Sequence, residues 1–171
     1  MGGPGGIGTA GEARPLVIGL GHPSRHDDAL GLEAVDRLEP RLRGVATTRR
    51  CTSEGTELLD LWAGRDLVLV IDAVRSGAAP GTVFRFEVGD RPLPRPFQAS
   101  STHGLSIADV VALARSLDRL PRRLVIYGIE GERFETGLGL SARVAPALDT
   151  VVERIVGELV VGPSPEDSPH A

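Results

Sequence analysis

Residues 16–31 read LVIGLGHPSRHDDALG. The apolar run 16–20, broken by Gly19 and closed by Gly21, has the character of a short strand, and the periodic segment that begins at Leu30 has that of a helix. Between them lies an irregular turn, and at the helix entrance stand two adjacent carboxylates, Asp27 and Asp28. A strand that ends in glycine and feeds a helix delivers its loop to the carboxyl edge of a sheet. In open α/β folds that edge is where ligands bind. Two neighbouring acids there need partners from elsewhere in the chain.

Downstream, residues 66–72 (DLVLVID) form the clearest strand, an unbroken apolar run suited to burial on both faces and ending at Asp72. Residues 82–88 alternate, and the connection from 72 is too short for a helix, so this strand is expected antiparallel at an edge. Three prolines make 91–97 a loop. Residues 100–102 supply N-cap chemistry for a helix running to about 117. Residues 124–129 read as another strand. After a glycine-containing loop, Val144, Leu148, Val151, Val152, Ile155 and Leu159 line a last amphipathic helix, which Pro146 either begins or kinks. Upstream, a helix from Leu30 is closed by Pro40, residues 45–51 form a weakly alternating strand, and 54–62 a short helix with Gly64 as its C-cap. The alternation implies a three-layer α/β/α sandwich around a mainly parallel sheet with one antiparallel strand. A Gly-rich flexible tail is expected over 1–13, a single α/β domain over 14–161 and a disordered tail over 162–171.

Composition removes whole classes of function. The chain has 171 residues, 41% of them hydrophobic, and a formal charge of −4. Its basic residues are scattered, which argues against nucleic acid as a partner. All of them are arginines: there is no lysine for a P-loop, a Schiff base or Ser-Lys catalysis, and no asparagine for a Cys-His-Asn triad. Cys51 is the only cysteine, so an intrachain disulfide and a cysteine-based zinc site are both excluded. No apolar run approaches a membrane span, and the N-terminus lacks the pattern of a signal peptide, so a cytoplasmic protein without a membrane partner is expected.

Three polar groups fall where strands and loops meet the carboxyl edge: Asp28, Asp72 and His103. Each alone has an ordinary explanation, as a helix-capping acid, a turn acceptor and a solvated loop histidine. Together they are two carboxylates and an imidazole, a donor set for a borderline divalent metal such as nickel, zinc, manganese or iron. Asp27 reads as a cap or as an acceptor behind the ligands. His22 and His26 are further loop candidates. The run GLGHPS begins like a dinucleotide-binding turn but lacks the third glycine, and Ser106 does not stand in a G-x-S-x-G elbow.

These residues, in order, resemble the [NiFe]-hydrogenase maturation endopeptidases. The resemblance rests on Gly19-Leu20-Gly21-His22 with Asp27-Asp28-Ala29-Leu30-Gly31, then Val70-Ile71-Asp72-Ala73 with Pro80-Gly81-Thr82, then Ser101-Thr102-His103 with Leu105-Ser106-Ile107-Ala108-Asp109. The strand 125–129 and a Gly-Leu-x-Leu-Ser run before the terminal helix complete it, from about residue 15 to 160. It implies a twisted five-stranded sheet and an aspartic-type or metal-dependent endopeptidase. Such an enzyme trims a C-terminal peptide from the nickel-loaded hydrogenase large subunit precursor, and the nickel comes with that substrate as a recognition element. The family's metal-contacting acid, second acid and histidine fall on Asp28, Asp72 and His103. Two departures stand out: His22 replaces the usual Asn of the glycine turn, and Cys51-Thr52-Ser53-Glu54-Gly55-Thr56 has fewer glycines than the family's loop after strand two. They leave room for a rival expectation, a non-catalytic metal- or partner-binding assembly factor on the same fold.

Overall fold

Five strands, β1 (Leu16–Leu20), β2 (Thr47–Cys51), β3 (Leu67–Val74), β4 (Val83–Glu87) and β5 (Arg123–Glu130), form one sheet in the order β2-β1-β3-β5-β4. The computed structural model describes residues 14–52, 55–98 and 105–161. The expected tails over 1–13 and 162–171, the proposed cap over 100–102 and His103 all lie outside the described residues. Strands β1, β2, β3 and β5 run parallel, and β4 pairs antiparallel with β5 from Val83 opposite Ile129 to Glu87 opposite Val125. The expectation of one antiparallel edge strand is met.

Among the described residues four α-helices complete the three layers. Helices α1 (Leu30–Leu38) and α4 (Ala145–Val160) cover one face, burying Leu30, Ala34, Leu38, Leu148, Val151 and Ile155 against Val17, Leu69, Ile71, Val125 and Tyr127. Helices α2 (Thr56–Leu61) and α3 (Ile107–Ser116) cover the other. There Leu58, Ile107, Val110 and Ala114 meet Ile18, Val68, Val70 and Ile126, with Trp62 and Phe97 in the same core. Residues Val68, Leu69, Val70 and Ile71 have no exposed surface, as a strand between two helical layers requires.

Several boundaries differ from the sequence reading. Strand β3 does not end at Asp72 but continues to Val74, because β5 offers a ladder that long: Asp72 lies opposite Gly128 and Val74 opposite Glu130. Helix α3 is capped by Ser106, not by 100–102. The Ser106 Oγ accepts from the Asp109 N–H at 3.2 Å and the Asp109 carboxylate accepts from the Ser106 N–H at 2.9 Å, a reciprocal pair that satisfies two otherwise unpaired donors. Pro146 falls in the first turn of α4, where its missing N–H costs nothing, so it begins the helix. The two outer strands carry charge: Arg49 and Arg50 on β2, Arg85 and Glu87 on β4.

The start of α1 lies against the sheet backbone itself. A Cβ at Gly31 would sit 2.3 Å from the Leu20 carbonyl oxygen and 2.5 Å from that of Ile71, and Gly19 meets the Gly31 carbonyl in the same way. Two backbones approach here with no room for a side chain, which sets the distance of Asp27 and Asp28 from β3. Replacing Gly31 by Ala pushes rigid carbonyls apart, so Gly31→Ala is expected to lower the unfolding free energy by about 3 kcal/mol, read from urea denaturation midpoints at unchanged m-value.

Candidate active site

The carboxyl ends of the parallel strands gather the loops that carry the sequence-selected acids. After β1 the chain turns at Gly21 and enters a 3-10 turn, His26–Ala29, that leads directly into α1. This turn divides the acid pair. Asp27 is fully buried, and Asp28 is half-buried.

Asp27 faces the loop that follows β5. Its Oδ2 accepts from the backbone N–H groups of Glu132 and Arg133, both at 2.8 Å, and from the Ser141 hydroxyl at 2.8 Å, while Oδ1 accepts from the Ser141 N–H at 2.7 Å. Burial alone would raise its pKa, but the bonds from Ser141, Arg133 and Glu132 outweigh that and hold it below the ordinary value. Asp27 is therefore an anchor for residues 132–141. With both oxygens bonded and no surface, it does not suit the general-base role that a loop acid invites. It also caps no helix: neither the 3-10 turn nor α1 has a side-chain cap bond.

The histidines serve the same loop geometry. His26 sits at φ 44°, a conformation costly for a non-glycine residue, and is held there by its backbone N–H to the Gly137 carbonyl and its Nδ1 to the Gly139 carbonyl, both at 3.0 Å. His22, in the place where the resemblance expects Asn, uses its ring as an amide oxygen would be used. Nδ1 accepts from the Ser24 N–H at 3.2 Å, closing a local turn. Neither imidazole is brought to the acids as a metal ligand.

Asp28 and Asp72 are brought together. The Asp28 Oδ2 accepts from the His22 N–H at 3.0 Å. Burial raises its pKa, against the His22 bond and the charges of Arg25, His22 and Arg75. Asp72 lies on β3, on the face shared by Val70 and Val74. Burial and the charge of Asp28 push it up to about 7, with the Ala73 N–H pulling the other way. Two half-buried carboxylates within Coulomb range of each other cannot both ionise cheaply. Among the described residues no third His, Cys, Asp or Glu joins them as a metal cluster. The third sequence-selected ligand, His103, lies outside those residues.

One site-building acid escaped the sequence reading. Glu130, buried at the end of β5, accepts from the N–H and hydroxyl of Ser76 and from the Gly77 N–H at 2.7–3.0 Å, fixing the loop after β3. The signal existed: like Asp72, it is an acid at the end of an apolar strand.

Comparison with known proteins gives a single answer. The family model described as hydrogenase maturation protease matches residues 52–158, more than half of the chain. The hydrogenase 2 maturation protease of Escherichia coli is 31% identical over 150 residues, covering 85% of this chain and 90% of that protein. The solved structure of the hydrogenase maturating endopeptidase HybD from E. coli superposes with a TM-score of 0.69 at 28% identity, covering 86% of this chain and 93% of its own. A solution structure of an endopeptidase from E. coli reaches 0.74 at 29%, covering 85% and 92%. The architecture is thus that of the α/β hydrogenase maturation proteases. The chain belongs to the hydrogenase maturation protease family.

Opposite pH signatures separate the acids. Asp27, with its lowered pKa, contributes stability that is present above the ordinary Asp value and lost as the pH falls through its own. Asp27→Asn, which turns an amide N–H₂ toward donors, is expected to cost about 3 kcal/mol near pH 7 by chemical denaturation. Asp72 behaves in reverse: it binds a proton in the folded state that the unfolded chain releases near 3.8, so stability falls as the pH rises from there to about 7. Asp72→Asn removes that slope, and the metal-free variant should melt at least about 3 °C above wild type at pH 8 and close to it at pH 4.

Proposed function

We propose that this protein is an endopeptidase that removes a C-terminal segment from the large subunit precursor of a [NiFe]-hydrogenase, acting in the cytoplasm on precursor that already holds nickel. Family membership supports the reaction class. The observation that carries the site assignment is the coupled pair Asp28 and Asp72, two carboxylates that repel one another at the loop edge unless a positive charge comes between them. Nickel, brought in by the substrate, is such a charge, and carboxylate oxygens with an imidazole suit it as donors. In this reading Asp28, Asp72 and His103 engage the ion and are the catalytic residues, and the ion enters as part of the substrate. A divalent ion so held supplies Lewis acidity toward a scissile carbonyl or a water.

In this reading the arrangement favours a loaded precursor over an unloaded one. Without an ion, burial and the charge of Asp28 favour the protonated form of Asp72. With the ion, both carboxylates ionise and their mutual repulsion becomes attraction to a shared cation. Among the described residues no helix is long and apolar enough to cross a membrane.

Incubation of the purified protein with nickel-loaded, uncleaved precursor tests the proposal through the mass of the subunit. A discrete C-terminal loss is expected with wild type, slowed at least about 100-fold in Asp28→Asn, Asp72→Asn and His103→Ala. A cognate, demonstrably loaded precursor that keeps its full mass leaves the protein as a non-catalytic assembly factor.

A further inference from the structure

We infer that Arg25 and Arg75, gathered on Phe134 at the rim of the acid pair, form a subsite for a carboxylate of the peptide substrate. The inference rests on the endopeptidase reading above and deepens it. Three separate loops of the carboxyl edge meet at this point. Arg25 belongs to the loop after β1, Arg75 follows the last residue of β3, and Phe134 belongs to the loop after β5. The Arg25 Nε donates to the Phe134 carbonyl at 3.0 Å, and the Arg75 guanidinium lies 4.3 Å from the centre of the Phe134 ring. One residue thus holds two cations, one by its backbone and one by its ring face.

The platform is firm. The Phe134 ring is seated directly over Gly131, where a Cβ would come within 2.4 Å of it. The loop around it is tied down by Asp27 at 132, 133 and 141 and by His26 at 137 and 139. Arg25 stands three residues before Asp28 and Arg75 three residues after Asp72, and both charges act on Asp28.

Nine of the seventeen other described arginines are answered by carboxylates, among them Arg37 by Asp149, Arg50 by Asp36, Arg119 by Asp60, Arg123 by Glu87 and Arg143 by Glu132. Among the described residues Arg25 and Arg75 form no ion pair. Among the described residues Arg25 has committed one donor and Arg75 none to a hydrogen bond, so the planar forks that match a carboxylate remain open on both there. Packing alone does not call for a second guanidinium at the mouth of an acidic site. A peptide acid does: the arginines draw it in, and their fixed positions lower the ordering cost of holding it.

Synthetic peptides spanning the precursor's C-terminal segment carry no nickel and measure binding apart from cleavage. Three are compared by calorimetry: the native peptide, one with its Asp and Glu replaced by Asn and Gln, and one ending in a carboxamide. Arg75 is exposed, so Arg75→Gln leaves the fold intact; it is expected to bind the native peptide about tenfold more weakly, with Arg75→Lys recovering part of the loss. One of the two altered peptides should lose the same factor against wild type and nothing further against Arg75→Gln. Whichever one does so identifies the carboxylate as a side chain or as the chain terminus. Equal binding of all three peptides by wild type, an unchanged Arg75→Gln, or no binding at all overturns the subsite. Cleavage of loaded precursor by wild type, run in parallel, judges the endopeptidase reading separately.

Discussion

A single buried carboxylate holds the working end of this molecule together. Asp27 has no contact with water, and an ionised acid in that position would be expelled or neutralised if its lone pairs were not met. They are met by donors from Glu132, Arg133 and Ser141, more than a hundred residues further along the chain. The loop after β5 therefore closes over the loop after β1, and Asp28, one residue on, is left at the surface of that joint. Glu130 repeats the device on the other side by fixing Ser76 and Gly77. The loops that frame the acid pair are held by acids that take no part in it, so the paired carboxylates can be unstable in their own environment without loosening the frame.

Much of the architecture is legible in the sequence because it depends on periodicity. The two-faced apolar run of β3, the alternating β4 joined by too short a connection for a crossover, and the amphipathic α1 and α4 each have a pattern that only one environment satisfies. The boundaries are harder to read. Strand β3 overruns Asp72 because of how far β5 extends, a non-local fact. The cap of α3 was legible, since Ser106 and Asp109 stand three apart before an apolar run, but the serines at 100 and 101 make an equally good local signal.

The division of labour between Asp27 and Asp28 is not legible in the same way. Most donors to Asp27 are backbone N–H groups, which every residue but proline possesses, and nothing in the side chains of Glu132 or Arg133 announces them. Asp28 and Asp72 could be selected by position, and the structure does bring them within range of each other. At His22 an imidazole nitrogen accepts the Ser24 N–H and closes a local turn. The gathering of Arg25 and Arg75 on Phe134 had no sequence signal, because three isolated residues in three loops share neither spacing nor composition.

The arginines on the outer strands have a bearing on how such a protein handles its substrate. A segment destined for removal must be presented in extended form, and an extended chain is the natural complement of any unpaired strand edge. Among the described residues neither β2 nor β4 has a further strand beside it, yet β2 carries Arg49 and Arg50 there, and β4 carries Arg85 and Glu87. A peptide that zipped onto either border would have to desolvate those charges or leave them facing its own side chains. Extended polypeptide is thereby discouraged at the flanks.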